Sequence, residues 1–158
     1  MSVYLEASAL WAMYYGEPGG DRVVWVLDNF PSLTLEWTLL ELGRAMSKRS
    51  NEGEITNAEA EELEIFILSD FRKLVGKKKV VLVKVSWPLV REAYTLIRPL
   101  NLYASDAAHL VAARLKKARV MLVDDFHLKR LSERVREPRI LSITSPREEI
   151  KREVEGRG

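Results

Sequence analysis

The 158-residue chain has neither cysteine nor glutamine, and it has no apolar run long enough to cross a membrane. The lack of cysteine excludes disulfides and thiolate metal sites, and it is typical of proteins from a reducing compartment. A membrane-spanning helix needs about 20 apolar residues, so we expect no membrane association. No basic segment followed by an apolar one opens the sequence, so we expect no secretory signal and a cytoplasmic location.

The chain also lacks a large excess of charge of either sign, because it has 25 basic and 23 acidic residues and a net charge of only +2. This balance excludes nucleic-acid binding driven by bulk charge, so any such contact must come from local patches. Charged residues make up 30% of the chain. Together with the missing cysteine and glutamine, that density is typical of a thermophile's surface.

Apolar, β-branched segments alternate with segments of helical periodicity along the whole chain. Predicted strands lie at residues 2–5, 80–85, 120–123 and 140–143, with a short extended piece near 33–35. This alternation predicts an α/β fold, a three-layer α/β/α sandwich around a central parallel sheet of about four to five strands. We expect one domain over residues 1–144, followed by a charged helix or tail over residues 145–158.

Capping residues and prolines set the expected helix ends. Thr56–Glu59 and Ser145–Glu148 both have the pattern of a capping box, which opens a helix. Ser8 and Ser105 are the expected caps of two further helices. One helix is expected to stop before Pro99, since proline is disfavoured inside a helix.

Acidic residues fall where strands of the predicted sheet end. Glu6 follows the first strand, Asp124 and Asp125 follow "VMLV", and Asp106 opens the helix before that strand. Glu41 lies within a helix between two leucines. Sites in open parallel sheets form beyond the carboxyl ends of the strands, so the acids could form a metal cluster there. They could instead be helix caps and surface residues. That alternative explains Glu6 poorly, because Ser8 is the better cap.

Converging carboxylates would constrain the chemistry of such a cluster. They repel one another and cannot all stay ionised without a cation among them. With no cysteine and only two histidines, we expect an all-oxygen ligand set. Oxygen ligands favour Mg²⁺ or Mn²⁺, ions suited to phosphate chemistry.

Four segments, "VYLEASAL", "LTLEWTLLELGRA", "LNLYASDAAHLVAA" and "VMLVDDFHLKRL", occur in one order between residue 3 and about residue 131. Together they resemble the PIN-domain ribonucleases, most closely the VapC-like toxin type. The resemblance implies an α/β/α fold and hydrolysis of RNA by water, leaving a 5′-phosphate and a 3′-hydroxyl. It implies that Glu6, Glu41, Asp106 and Asp125 hold one or two Mg²⁺ or Mn²⁺ ions and carry catalysis.

The chain departs from the family pattern at three positions. Glu6 stands where the family usually has aspartate, and Val123 stands where many members have serine or threonine. Asp124 is an additional acid, either a further metal ligand or a helix cap. Ser8 resembles the family's small hydroxyl residue that supports the metal site.

The resemblance also implies an RNA substrate, a cognate antitoxin and a second copy in a homodimer. Arg44, Lys48, Arg49 and Arg114 are candidate contacts to RNA phosphates, although each equally fits a solvated helix face. His109 lies one turn from Asp106 and could point toward the site, but a helical histidine among apolar residues is more often packed with partners for its polar atoms. His127 is interpreted as a surface residue.

Three functions remain open from the sequence. The first is a metal-dependent endoribonuclease, the toxin of a type II toxin–antitoxin system. The second is a catalytically impaired PIN-like module that binds RNA or protein. The third, an unrelated nucleotide-binding domain, is disfavoured because neither glycine-rich phosphate motif occurs in the chain.

Overall fold

A computed structural model of the chain describes residues 1–124 and 129–156. Five strands form one parallel sheet in the order β3-β2-β1-β4-β5. The strands are β1 (Val3–Leu5), β2 (Ser32–Leu35), β3 (Val80–Val83), β4 (Val120–Val123) and β5 (Arg139–Ser142). The helices in these residues are α1 (Ala7–Tyr15), α2 (Gly20–Asn29), α3 (Thr38–Asn51), α4 (Asn57–Gly76), α5 (Trp87–Leu100), α6 (Ala104–Leu115), α7 (Arg147–Glu155) and a 3₁₀ helix (Arg130–Glu133).

The sheet has helices on both faces, so the expected three-layer sandwich is confirmed. One apolar cluster joins alternate strand residues to α1, α2, α3, α4 and α7. A second cluster joins the other strand residues to α5 and α6. The central strands β1 and β4 are buried along their whole length, as their unbroken apolar sequences require. The extended piece near residues 33–35 is the full strand β2.

The C-terminal helix α7 packs on the first cluster through Ile150 and Val154, both almost fully buried. The division of the chain at residue 144 stays a prediction. In the part of the chain that the structure describes, no helix is both long and apolar enough to cross a membrane.

The strand order defines where a site can form. From β1 the chain builds outward to β2 and β3 on one side, and later adds β4 and β5 on the other. The crevice beyond the carboxyl ends of β1 and β4 is therefore the topological switch point, where open α/β sheets bind ligands. Glu6 and Asp124 are the first residues after these two strands.

One of the two expected capping boxes is confirmed. The Thr56 hydroxyl accepts a hydrogen bond from the backbone N–H of Glu59 at 3.2 Å, and the Glu59 carboxylate accepts one from the backbone N–H of Thr56 at 2.7 Å. The box at Ser145–Glu148 was wrong, because Pro146 is the N-cap of α7 and no side chain caps that helix. Ser145 instead donates its backbone N–H to the Ser142 carbonyl in a turn.

Two other helix boundaries differ from expectation. Helix α6 begins at Ala104 with Tyr103 as its N-cap, so the expected cap at Ser105 was wrong. The shift places Asp106 in the first turn, where a carboxylate meets free backbone N–H groups. Helix α5 continues through Pro99 to Leu100, so its expected end was also wrong. Pro99 lies in the last turn, where the missing N–H costs a single helical hydrogen bond.

Candidate active site

Glu6 forms the N-cap of α1 with its own side chain. Its carboxylate accepts a hydrogen bond from the Ser8 backbone N–H at 2.8 Å and a second from the Ser8 hydroxyl. The expectation that Ser8 caps this helix was therefore wrong. The chain passes from β1 into α1 without a linker, so Ser8 falls inside the first turn, where its N–H needs an acceptor.

Ser8 connects the ends of the two central strands. Its hydroxyl donates to Glu6 and accepts a hydrogen bond from the backbone N–H of Asp124 at 2.9 Å. The backbone N–H of Glu6 in turn donates to the Leu122 carbonyl in β4 at 3.1 Å. These contacts fix the Glu6 carboxylate at the switch point.

His109 is fully buried beside two carboxylates. Its Nε2 lies 2.6 Å from the Glu41 carboxylate of α3 and 3.7 Å from that of Glu6. Its Nδ1 lies 2.7 Å from the Tyr4 hydroxyl in β1. One donor atom from each of Glu6, Glu41 and His109 falls within 4.8 Å of the others. The Glu41 side chain is about one-quarter exposed at 24%, so the group opens toward solvent on that side.

The structure brings some predicted residues together and leaves others apart. Asp106 is 5% exposed and precedes His109 by one turn of α6. Its donor atoms do not belong to the close group of three among the described residues. Asp124 is exposed, and its backbone contacts Ser8. Asp125, like His127, lies outside the described residues.

Burial and the neighbouring charges shift the pKa values of three groups. Burial raises the pKa of Glu6, although His109 and Ser8 favour its charged form. Burial also raises the pKa of Tyr4, and the charges of Glu6 and Glu41 add to that effect. For His109, burial favours the neutral form, but the Glu41 hydrogen bond and the charges of Glu6, Glu41 and Asp106 outweigh it and raise the pKa.

The His109 imidazole lies beside the two carboxylates, and the expected all-oxygen ligand set stays a prediction. The "SDAAHL" segment contained the signal, since residues three apart share one face of a helix. The interpretation of His109 as packed with satisfied polar atoms is confirmed. Two carboxylates and one imidazole fit a divalent cation, and the imidazole suits Mn²⁺ better than Mg²⁺.

Comparison with known proteins identifies the family. The family model described as PIN domain matches residues 3–134 of the chain. The chain belongs to the PIN-domain family. No curated protein matches its sequence. The crystal structure of PAE2754 from Pyrobaculum aerophilum is similar, with a TM-score of 0.62 at 17% sequence identity over 99% of this chain and 97% of that one. At that identity the likeness shows the fold alone.

PIN domains are generally nucleases that use divalent metal ions, and this PIN domain holds a buried group of acids and a histidine. Two of the candidate RNA contacts lie beside that group. Arg44 and Lys48 line an open groove of about 460 Å³ together with Glu41, Trp37 and Leu40. The groove therefore places two basic side chains beside Glu41.

The other two candidate cations differ from these in their partners, although Arg49 lines a neighbouring cavity with Glu41 and Lys48. Arg49 forms ion pairs with Glu17 at 3.0 Å and with Glu54, so its charge is already compensated. The Arg114 guanidinium donates to the Glu137 carbonyl at 3.1 Å. That contact lies at the amino end of β5, the edge of the sheet opposite Glu6.

Proposed function

We propose that this PIN domain is a metal-dependent endoribonuclease of the VapC-like type, acting in the cytoplasm as the toxin of a type II toxin–antitoxin pair. The observation that carries the proposal is the group formed by Glu6, Glu41 and His109 within 4.8 Å, at the switch point of the sheet. Buried Asp106 adds a fourth charge beside it.

The chain's own residues have distinct roles in this proposal. Glu6, Glu41, Asp106 and Asp125 are the proposed ligands and catalytic residues, with Asp124 as a further ligand. Ser8 orients Glu6, and Tyr4 orients His109. A bound Mg²⁺ or Mn²⁺ would offset charge on the phosphoryl oxygens and lower the pKa of a water. Arg44 and Lys48 hold the RNA backbone along the groove at Glu41.

The test is cleavage of a labelled panel of structured RNAs in Mn²⁺ and in Mg²⁺. We expect cleavage by the wild type and at least a 100-fold loss in Asp106→Asn, because an uncharged amide binds a divalent cation poorly. Asp28→Asn is the matched control, since Asp28 is exposed and pairs with Lys79 far along the chain. Full activity in Asp106→Asn would remove Asp106 from the mechanism.

One observation favours the second candidate, an impaired module that binds RNA or protein. Both close carboxylates already have protein partners: Glu6 bonds with Ser8, and Glu41 bonds with His109. The hydrogen bond between His109 Nε2 and Glu41 must break before one cation can bind both that nitrogen and the bonded carboxylate oxygen. RNA binding without cleavage in either metal, at any concentration up to millimolar, would support this candidate over the nuclease.

A protein partner is part of the proposal. Large apolar side chains are exposed on α4 and α5, including Ile65 at 70%, Phe66 at 55% and Trp87 at 72%. Exposed apolar surface of this kind supports an interface with an antitoxin or with a second copy. Light scattering of the purified chain tests the homodimer, and co-purification with the product of the adjacent gene tests the antitoxin.

A further inference from the structure

A second concave site lies at the amino-terminal ends of the strands, whereas Glu6 lies at their carboxyl-terminal ends. It is an open pocket of about 1070 Å³ at the amino ends of β4 and β5. Six basic side chains line it: Arg114, Lys117, Arg119, Arg134, Arg136 and Arg139. They come from the end of α6 and from the two segments that lead into β4 and β5. Nothing in the proposed catalytic site uses them.

The positive charge of this basic pocket is poorly compensated. Two carboxylates, Glu137 and Glu153, also line it, so the described lining has six cations against two acids, an excess of four positive charges. Glu153 lies 3.6 Å from the guanidinium of Arg152, which takes up part of its charge. Among the side chains that the structure describes, none of the six cations forms an ion pair. Such a concentration of charge favours an anionic ligand.

One of the arginines is held by a hydrogen bond, and a second lies beside the C-terminal end of α7. Arg114 donates to the Glu137 carbonyl at 3.1 Å, which fixes its guanidinium against the loop before β5. Arg119 packs against Gly156 so closely that a Cβ there would lie 2.4 Å from its Nη2. Arg134, Arg136 and Arg139 are exposed. The pocket therefore combines fixed and adaptable cations.

The chemistry of the lining selects among anions. Five of the six cations are arginines, whose planar forks bind phosphate oxygens in pairs. Among the described residues, the lining contains no aromatic side chain on which a base could stack. A ligand recognised here is therefore read through its phosphates, and an open pocket suits a chain of phosphates better than a single nucleotide.

We propose that this basic pocket binds the phosphate backbone of the substrate RNA at a distance from the bond that is cut. The proposal rests on the proposed ribonuclease function. A β-strand of four residues spans about 13 Å, and the two sites lie at opposite ends of such strands. One RNA molecule must therefore pass around the outside of the sheet to contact both sites. Long or structured RNA then gains affinity from the pocket, whereas a short oligonucleotide in the groove at Glu41 does not.

The test is fluorescence anisotropy with labelled RNAs of about 25 and about 6 nucleotides, in EDTA so that no cleavage occurs. The variant is Arg136→Gln/Arg139→Gln, because both side chains are exposed and their loss leaves the core intact. We expect at least tenfold weaker binding of the long RNA and unchanged binding of the short one. The slope of log affinity against log salt should fall by about 1.4, since each single-strand phosphate contact contributes about 0.7.

The matched control is Arg72→Gln/Arg91→Gln, which removes the same charge from exposed positions on α4 and α5. Equal affinity and equal salt slope in the two double variants would overturn the proposal. Tighter binding of a poly-glutamate peptide than of the long RNA, lost in the pocket variant, would also overturn it in favour of a protein ligand. The assay needs no catalysis, so failure of the ribonuclease function would appear separately, as binding without cleavage in Mn²⁺.

Discussion

The Glu6 carboxylate has two roles, one in a helix cap and one in the candidate metal site. It caps α1 through Ser8, and it lies 3.7 Å from His109 in the candidate metal site. A family member with aspartate here would keep the cap, because aspartate is a preferred N-cap residue. The longer glutamate therefore matters for the reach toward His109 rather than for the helix.

We expect Glu6→Asp to fold normally and to cleave RNA at least as well as the wild type, since the cap survives and the family's usual residue is restored. Glu6→Gln is the matched isostere, and we expect it to lower Mn²⁺ affinity at least tenfold because the charge is lost. Electron paramagnetic resonance of free Mn²⁺ measures the affinity. Loss of cleavage in Glu6→Asp would mean that the site geometry requires the extra methylene.

His109 contacts Tyr4 and Glu41 through its two ring nitrogens, so its loss should affect stability. We expect His109→Phe to lower the free energy of unfolding in EDTA by about 2 kcal/mol, because a ring of similar size keeps the packing but leaves the partly buried Glu41 carboxylate without its donor. Tyr4→Phe, which removes only the hydroxyl contact to Nδ1, should cost about 1 kcal/mol. Urea unfolding measures both. Equal losses would show that the Glu41 contact adds nothing to stability.

Parallel topology and the end of the first strand predicted the position of Glu6 at the site, whereas Glu41, inside a helix, became a candidate through the family resemblance. The sequence offered a place for His109 at the site only as the less favoured of two interpretations. A histidine among apolar residues has the pattern of a core residue, and only its distance from Glu41, 68 positions away in the chain, changes that interpretation. Such long-range proximity is set by the packing of α3 and α6 on the sheet, which no local pattern records.

At the scale of single helices, the capping box at the start of α4 stabilises the fold. We expect Thr56→Ala to destabilise the protein by about 1 kcal/mol at neutral pH, because the N-cap hydroxyl that accepts from Glu59 is lost. Hydrogen bonds from the Thr56 backbone N–H and hydroxyl hold the pKa of Glu59 below its ordinary range. Urea unfolding of both proteins across a range of pH measures the effect.

The direction of the pH effect follows from that lowered pKa. The stabilisation that Glu59 provides is present above its unfolded-state pKa, about 4.3, and is lost as pH falls through the lower folded-state value. The difference between the wild type and Thr56→Ala should therefore shrink in that acidic window. A difference that stays constant down to pH 2 would show that Glu59 does not take part in the cap.

Helices and strands with strong local signals were predicted well, and their ends were predicted less well. The Thr56–Glu59 box is local chemistry, and it formed as expected. Ser145 has the same pattern, yet the turn that carries the chain out of β5 uses it instead. At Pro99 the helix continues because α5 packs on α6, and that tertiary contact outweighs the loss of one hydrogen bond.

At the scale of the whole molecule, the two ends of the sheet carry opposite charge. The acidic group lies beyond the carboxyl ends of the central strands, and the basic pocket lies at the amino ends of β4 and β5. A cation that binds the acidic end binds only the folded chain, because Glu6, Glu41 and His109 come from three distant segments. Mass action then links metal binding to the stability of the entire domain.

We expect Mn²⁺ at about 100 times its dissociation constant to stabilise the wild type by about 2.7 kcal/mol, seen as a higher melting temperature. Glu41→Gln should lose most of this shift, whereas Asp28→Asn, at the exposed ion pair with Lys79, should keep it. Differential scanning calorimetry with and without Mn²⁺ measures the shift. An equal shift in all three proteins would place the ion elsewhere.

The central position of β1 has a consequence for synthesis on the ribosome. One neighbour of this strand, β4, begins at Val120, so a nascent chain shorter than that exposes an unpaired strand edge with apolar faces. The free side of β1 cannot pair with β4, and the crevice at Glu6 cannot form, until most of the chain has emerged. An incomplete translation product of this protein would therefore be a client for chaperones and proteases before the candidate site could form.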